Sequence, residues 1–144
     1  MDKLHLEITT PERVIYKDDV DELVLPTPNG EIGILPHHVP LISLLAPGEI
    51  RITKSGASTL MAVSGGFIEI QPTKVVVLAD TAEQAEEIDE QRAEEAKKRA
   101  QNLLKEKRVD QEQFAALSAK IEKELARLKV VRKRRRGPKS GLPQ

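Results

Sequence analysis

Proline and glycine are confined to one part of this chain, and that confinement restricts its possible folds more than any other feature. Seven of nine prolines and six of eight glycines lie at or before Pro72, and neither residue recurs until Gly137. Both punctuate turns and are costly inside helices, so the first stretch must bend repeatedly while the second is free to run as long helix. A length of 144 residues holds one ordinary domain or a small domain with an appendage, and the change of composition near Asp80 favours the latter. Charge divides at the same place: residues 1–80 carry 11 acidic and 6 basic side chains (net −5), and residues 81–144 carry 12 and 17 (net +5). Overall neutrality argues against a wholly nucleic-acid-binding domain, and the basic second half points to an acidic partner surface. The chain has no cysteine, which excludes disulfides and thiolate metal sites. No run approaches the roughly eighteen apolar residues of a membrane span, and the amino terminus lacks a charged-then-apolar leader, so membrane association is expected only through a partner.

Within residues 1–80, short alternating apolar segments (Leu4 to Ile8, Val20 to Leu25, Glu49 to Thr53, Val75 to Leu78) are separated by turn residues. This spacing predicts an all-β sandwich or flattened barrel with a small aliphatic core, since Tyr16 and Phe67 are its only aromatics. From Thr81 the period becomes helical. Asp80 or Thr81 is the expected N-cap, with Glu83, Glu86, Glu87, Asp89 and Glu90 complementing the helix dipole. Ala85, Ala93, Ala96, Ala100 and Leu103 share one stripe; Phe114, Leu117, Ile121, Leu125 and Leu128 share another, on a second helix beginning at Asp110. The short link Lys107 to Val109 predicts an antiparallel two-helix hairpin over 81–136, with a disordered tail at 137–144. An alanine-rich seam buries little apolar area at about 25 cal/mol per Å2, so the hairpin is expected to be weakly held. Two readings remain open: a mechanical switch whose helices, each on the order of 40 Å long, swing away, and a permanently closed hairpin.

Three stretches carry more specific information. Gly30 to Pro40, GEIGILPHHVP, follows a Pro28-Asn29-Gly30 turn, and Gly33 is expected to mark a bulge or close backbone approach. It reads as a shaped loop that touches something. Ser64 to Ile70 reads SGGFIEI, and Val77 to Ala82 reads VLADTA. Together these resemble the epsilon subunit of F-type ATP synthases, and the likeness runs from about Leu4 to Leu128. It implies a sandwich bound to the gamma subunit and seated on the c-ring, with Glu31 and His38 meeting the ring's polar loops. It also implies a hairpin that regulates rotation against the alpha and beta subunits. The chain would then be non-catalytic, coupling proton flow to ATP synthesis at the cytoplasmic face of an energy-transducing membrane.

Ile88 to Ala93, IDEQRA, places Asp89 four residues from both Ala85 and Ala93, on the expected apolar stripe, with Arg92 as its local ion-pair partner. It resembles the [IL]-D-x-x-R-A motif of ATP-binding epsilon subunits. That likeness implies an adenine-nucleotide site lined by Ile88, Asp89, Arg92 and Ala93, with Glu83 and Arg99 at matching positions. On the second helix the chain offers Lys120, Lys123 and Arg127, with Ala116 and Leu117 where a further arginine is expected; Lys123 and Arg127 are the candidate phosphate contacts. No cofactor is required, and ATP enters only as a regulatory ligand.

Metal binding is not expected, since adjacent His37 and His38 on an extended loop point apart and only His5 remains. Neither a phosphate-binding G-x-x-x-x-G-K-[ST] loop nor a nucleophile motif occurs. The basic block at the end of the second helix, with Lys129, Arg132, Lys133, Arg134, Arg135 and Arg136, admits three readings: a solvated tail, an inhibitory contact with acidic loops of the catalytic subunits, and a phosphate or anionic-lipid contact. A competing class is a free-standing nucleotide-sensing or nucleic-acid-binding module using this block; partner-independent, salt-sensitive retention on DNA would mark it.

Overall fold

The structure is a computed structural model that describes residues 2–106 and 110–136. The Lys107 to Val109 link, the side chains of Arg135 and Arg136, and the expected tail at 137–144 lie outside the described residues.

Ten strands form two five-stranded sheets. The first has the order β2 (Val14–Val20), β1 (Leu4–Thr9), β9 (Lys74–Ala79), β8 (Gly66–Ile70), β5 (Leu41–Leu45). The second runs β10 (Ala82–Gln84), β7 (Ala57–Val63), β6 (Gly48–Lys54), β3 (Glu22–Thr27), β4 (Gly30–Ile34). Only the β1–β9 pairing is parallel among these ladders. Alternation along the strands aims Leu4, Leu6, Ile8, Ile50, Ile52, Met61, Ile68, Ile70, Val75 and Val77 into one continuous aliphatic core between the sheets. The expected sandwich is therefore present.

The turn chemistry is partly as expected. Gly30 takes a positive φ of 112° where β3 turns into β4, and Thr27 donates its hydroxyl to the Gly30 carbonyl. Gly33, by contrast, pairs regularly with Val24, and a side chain there would meet open space, so it marks neither a bulge nor a close approach. The strained point of the loop is instead His37, at φ 73°, whose N–H donates to the Pro72 carbonyl at 2.7 Å.

The helical half departs from expectation at its start. Thr81 does not open a helix: its hydroxyl donates to Ser64, and the next residues add β10 to the edge of the second sheet against β7. A single 3-10 turn follows at Ala85–Glu87, and α1 runs Glu90–Glu106. Local acidic residues satisfied the pattern for a helix N-terminus, but the unpaired edge of β7 offers backbone partners that a helical turn cannot. Asp89 is the true N-cap, its carboxylate accepting the Arg92 N–H at 3.0 Å. The second helix, α2, runs Gln111–Arg136 and starts as expected at Asp110, where Asp110 and Gln113 exchange side-chain-to-backbone bonds in a capping box.

The hairpin packs closed, α1 against α2 and α2 in turn against the outer face of β6 and β7. Ala93, Ala96 and Ala100 are buried in the helix seam as expected, whereas Ala85 is buried in the 3-10 turn and Leu103 is exposed. The stripe expected on α2 is only partly used: Leu128 is buried, but Phe114 and Leu125 face solvent. The reason is that α2 serves two neighbours. Ala126 and Val130 turn toward Ala62, Ala85 and Ile88 on the sandwich side, a demand invisible to a pattern fitted to one partner helix.

Candidate functional site

The two outer faces of the sandwich differ. On the second sheet, Glu49, Arg51, Leu60 and Ala62 point outward and α2 covers them. On the first sheet, Leu44, Phe67 and Leu78 stand directly opposite one another across β5, β8 and β9, with Ile42 two residues along, and nothing among the described residues covers them. Ile42 is 75% exposed and Phe67 57%. An apolar row of this kind on an open sheet face marks an interaction surface. Sequence reading missed it, because the two faces of the segments holding Phe67 and Leu78 were not told apart; the signal was the strand parity, in which Ile68, Ile70 and Val77 take the inward positions.

Gly65 and Gly66 of the SGGFIE stretch have a structural reason. Gly66 has φ 143°, and a Cβ there would lie 2.0 Å from the Leu78 carbonyl oxygen. The Gly65 carbonyl accepts the Asp80 N–H at 2.9 Å. The two glycines let β8 and β9 close together, which sets Phe67 beside Leu78.

The residues expected at a nucleotide site separate into two groups. Glu83 on β10 and Arg127 on α2 meet: the guanidinium Nε donates to the Glu83 carboxylate, with approaches of 3.1 and 3.2 Å to its two oxygens, while Nη1 donates to Glu124 at 2.6 Å. Burial opposes the Arg127 charge, but the hydrogen bond to Glu124 and the charge of Glu83 outweigh it and raise its pKa. Ile88 and Ala93 are buried close by in chain, at either end of the segment entering α1. Lys123 and Lys120 line an open groove of about 390 Å3 with Ser64, Asp80, Ala119 and Glu124. Asp89, Arg92 and Arg99 do not join this cluster as buried members. Asp89 is an exposed cap rather than a carboxylate on a buried stripe, Arg92 is 84% exposed and lies 3.7 Å from Asp89, and Arg99 faces solvent. The exposed pair is the local interaction expected of neighbours three apart, worth a few tenths of a kcal/mol.

Glu31 lies exposed on β4, and His38 is partly covered, its Nδ1 2.7 Å from the Val39 carbonyl. His37 contacts Asp2 at 2.6 Å, and His5 contacts Asp19 at 2.9 Å. Among the described residues no three His, Cys, Asp or Glu side chains converge on a metal position. No helix of the described residues is long and apolar enough to cross a membrane.

The basic end of α2 is engaged within the chain. Lys133 donates to Glu49 at 2.9 Å, Arg132 to Glu90 at 3.0 Å and Glu94 at 2.9 Å, and Arg134 lies 3.4 Å from Glu86. Lys129 is exposed.

A sandwich with one bare apolar face, carrying on the other a hairpin fastened largely by charge, defines a subunit that works through contacts. The beta-sandwich domain of the ATP synthase delta/epsilon chain matches residues 3–85, and the long alpha-helix domain of the same chain matches residues 86–132. The ATP synthase epsilon chain of Chloroflexus aggregans is 50% identical over 127 residues, covering 88% of this chain and 91% of that one. The epsilon chain of Dehalococcoides mccartyi is 46% identical over 138 residues, covering 96% and 99%. Among solved structures, a chain of the Euglena gracilis mitochondrial ATP synthase superposes with a TM-score of 0.77 at 22% identity, covering 88% of this chain and 79% of that one, a likeness of fold. The chain belongs to the ATP synthase delta/epsilon chain family, and its bacterial relatives place it with the epsilon chains. It is a non-catalytic subunit of that complex.

Proposed function

We propose that this chain is a rotor subunit of the central stalk, coupling proton flow to ATP synthesis, whose hairpin restrains ATP hydrolysis. The bare row of Ile42, Leu44, Phe67 and Leu78 carries the reading, because it gives the sandwich a permanent apolar seat for the gamma subunit while leaving the hairpin free on the opposite face. The Gly30 to Pro40 loop, with Glu31 and His38, meets the polar loops of the c-ring. In this reading the chain works at the cytoplasmic face of the membrane, held there through the complex. When the hairpin extends beside gamma, Lys129, Arg132, Lys133, Arg134, Arg135 and Arg136 meet acidic loops of the alpha and beta subunits and hydrolysis stops.

The test is truncation after Ile88, which keeps β10 in its sheet. The assembled complex is expected to retain synthesis and to hydrolyse ATP faster; unchanged hydrolysis in a complex that assembles normally overturns the inhibitory role. Replacing Phe67 and Leu78 with Ser is expected to release the chain from gamma.

ATP is the regulatory ligand of the same reading, held at Glu83, Ile88, Asp89, Arg92, Ala93, Arg99, Lys123 and Arg127. What supports it is the groove beside Lys123 and the guanidinium of Arg127, which ATP phosphates would have to win from Glu83 and Glu124. Because Asp89 caps α1, its removal confounds binding with folding, so calorimetry belongs on an Arg92→Ala, Lys123→Ala variant. Loss of ATP heat relative to the parent supports the site; no heat from the parent at millimolar ATP removes it.

A further inference from the structure

On β6 the sandwich holds a carboxylate, Glu49, under the hairpin. Its side chain is 1% exposed on the outer face of β6, directly opposite Ala62 of β7 and beneath α2. Oε1 receives Lys133 at 2.9 Å and Arg51 at 3.2 Å, while Oε2 is buried with no hydrogen-bond partner. If Lys133 leaves, this carboxylate keeps Arg51 of its own strand on Oε1, and Oε2 needs water that the closed hairpin excludes. The apolar contact around it is small: Ala126 and Val130 pack against Ala62, Ala85 and Ile88, with Leu60 and Val131 partly buried at its edge. Burial of that size holds the far end of a 26-residue helix to the sheet only weakly. Charge supplies the rest. Arg132, Lys133 and Arg134 occupy successive positions on the last turns of α2 and spread over Glu90 and Glu94 of α1, Glu49 of β6 and Glu86 of the 3-10 turn, so three separate elements grip one helix end.

We propose that Glu49, with Glu86, Glu90 and Glu94, forms a charge latch that holds the basic end of α2 closed. The same cations cannot serve this latch and an acidic partner surface together, so opening is an exchange of carboxylates: the partner must offer acidic groups that replace those of the chain itself. This rests on the switching hairpin proposed above, but concerns the free chain. The outer pairs are half exposed and each contributes little. The Glu49–Lys133 pair sets the register, because its carboxylate is 1% exposed while the hairpin is closed and is therefore the least screened of the four.

The test is amide hydrogen exchange on the full-length chain at about 20 mM and about 500 mM salt, in the parent, Glu49→Gln and Lys133→Gln. The latch predicts that amides of residues 120–134 exchange on the order of tenfold faster in either variant, while β1 and β9 keep their protection. It also predicts that the parent speeds up with salt at those positions and that the double variant is no faster than the singles. Equal exchange in parent and both variants, at both salt levels, overturns the latch; so does acceleration spread evenly through the sandwich. Should Glu49→Gln fail to fold, Lys133→Gln, altered at a half-exposed position, decides alone. Failure here leaves the inhibitory reading standing, since that is measured as hydrolysis by the assembled complex.

Discussion

The sandwich and the hairpin are held by different physics, although both are closed and both belong to one chain. Between the sheets, large aliphatic side chains are wholly buried, and among the described residues no fully buried charged side chain lies in the packed layer. Between α2 and the sheet, the buried residues are Ala62, Ala85, Ile88, Ala126 and Val130, joined by the buried carboxylates Glu49 and Glu124. Aliphatic burial is insensitive to salt and has no alternative partner of equal quality. Ion pairs are screened by salt and can be exchanged for others of the same geometry. The first arrangement suits a fixed seat, the second a part that must let go.

The comparison is tested hardest at Gly66. Gly66→Ala would set a methyl against the Leu78 carbonyl in a backbone conformation that alanine rarely adopts. It is expected to cost more than about 4 kcal/mol, read as loss of the cooperative urea transition. Gly33→Ala, with open space around it, is expected to be neutral or stabilising by up to about 1 kcal/mol. Next come matched truncations in the two regions. Ile52→Ala, at 1% exposure in the sandwich core, is expected to lower global stability by about 2–5 kcal/mol. Val130→Ala, equally buried but under α2, removes less surface from a smaller cluster; about 1–2 kcal/mol is expected, appearing as faster exchange in α2 while the sandwich melts where it did. If Val130→Ala shifts the global transition as far as Ile52→Ala does, the two regions unfold as one and the distinction fails.

How far each region could be read from sequence follows the same line. The strands were legible because Leu4, Leu6 and Ile8, or Val75 and Val77, alternate against one partner layer, and period two survives any detail of loop geometry. The start of α1 was not. Glu83, Glu86 and Glu87 satisfy the electrostatic rule for a helix N-terminus, and only the exposed edge of β7, set by pairings distant in sequence, draws Ala82–Gln84 into the sheet. The faces of α2 were legible for one neighbour and hidden for the second. Arg127 was read as a candidate phosphate contact, and its carboxylate partners Glu83 and Glu124 could be found only once β10 lay beside α2. Charged contacts between elements are set by topology, and no local pattern carries them.

A smaller effect sharpens the helix boundary. Asp89→Ala removes the carboxylate that accepts the Arg92 N–H, at an expected cost of about 1 kcal/mol. The loss should be confined to the first turn of α1, visible as faster exchange at Arg92 and Ala93, because Asp89 itself is exposed. A loss extending into the sandwich would mean that the first turn of α1 and the sandwich unfold together.

Acid gives the smallest difference, and its sign can be worked out for both regions. In the sandwich, the hydrogen bond from Lys54 holds Asp18 below its ordinary value of 3.8, and Lys3, with the Ser55 N–H, does the same for Asp21. In the hairpin, Lys97 first and then Arg132 hold Glu94 below 4.5. Each carboxyl is more acidic folded than unfolded, so in acid the unfolded chain takes up protons first. The stabilisation is complete above those ordinary values and is lost as pH falls through the depressed ones. All three carboxylates are partly exposed to solvent, so salt should shrink the effect in both regions. The regions differ in where the loss starts: Glu94 begins to protonate in the unfolded chain at a higher pH than Asp18 or Asp21. Exchange protection of α1 should therefore decline before that of β2 on descending from about pH 5 to pH 3, and Arg132→Gln should narrow the gap. Protection in β2 that fails first would place the weaker charge contacts in the sandwich and reverse the assignment of fixed and releasable parts.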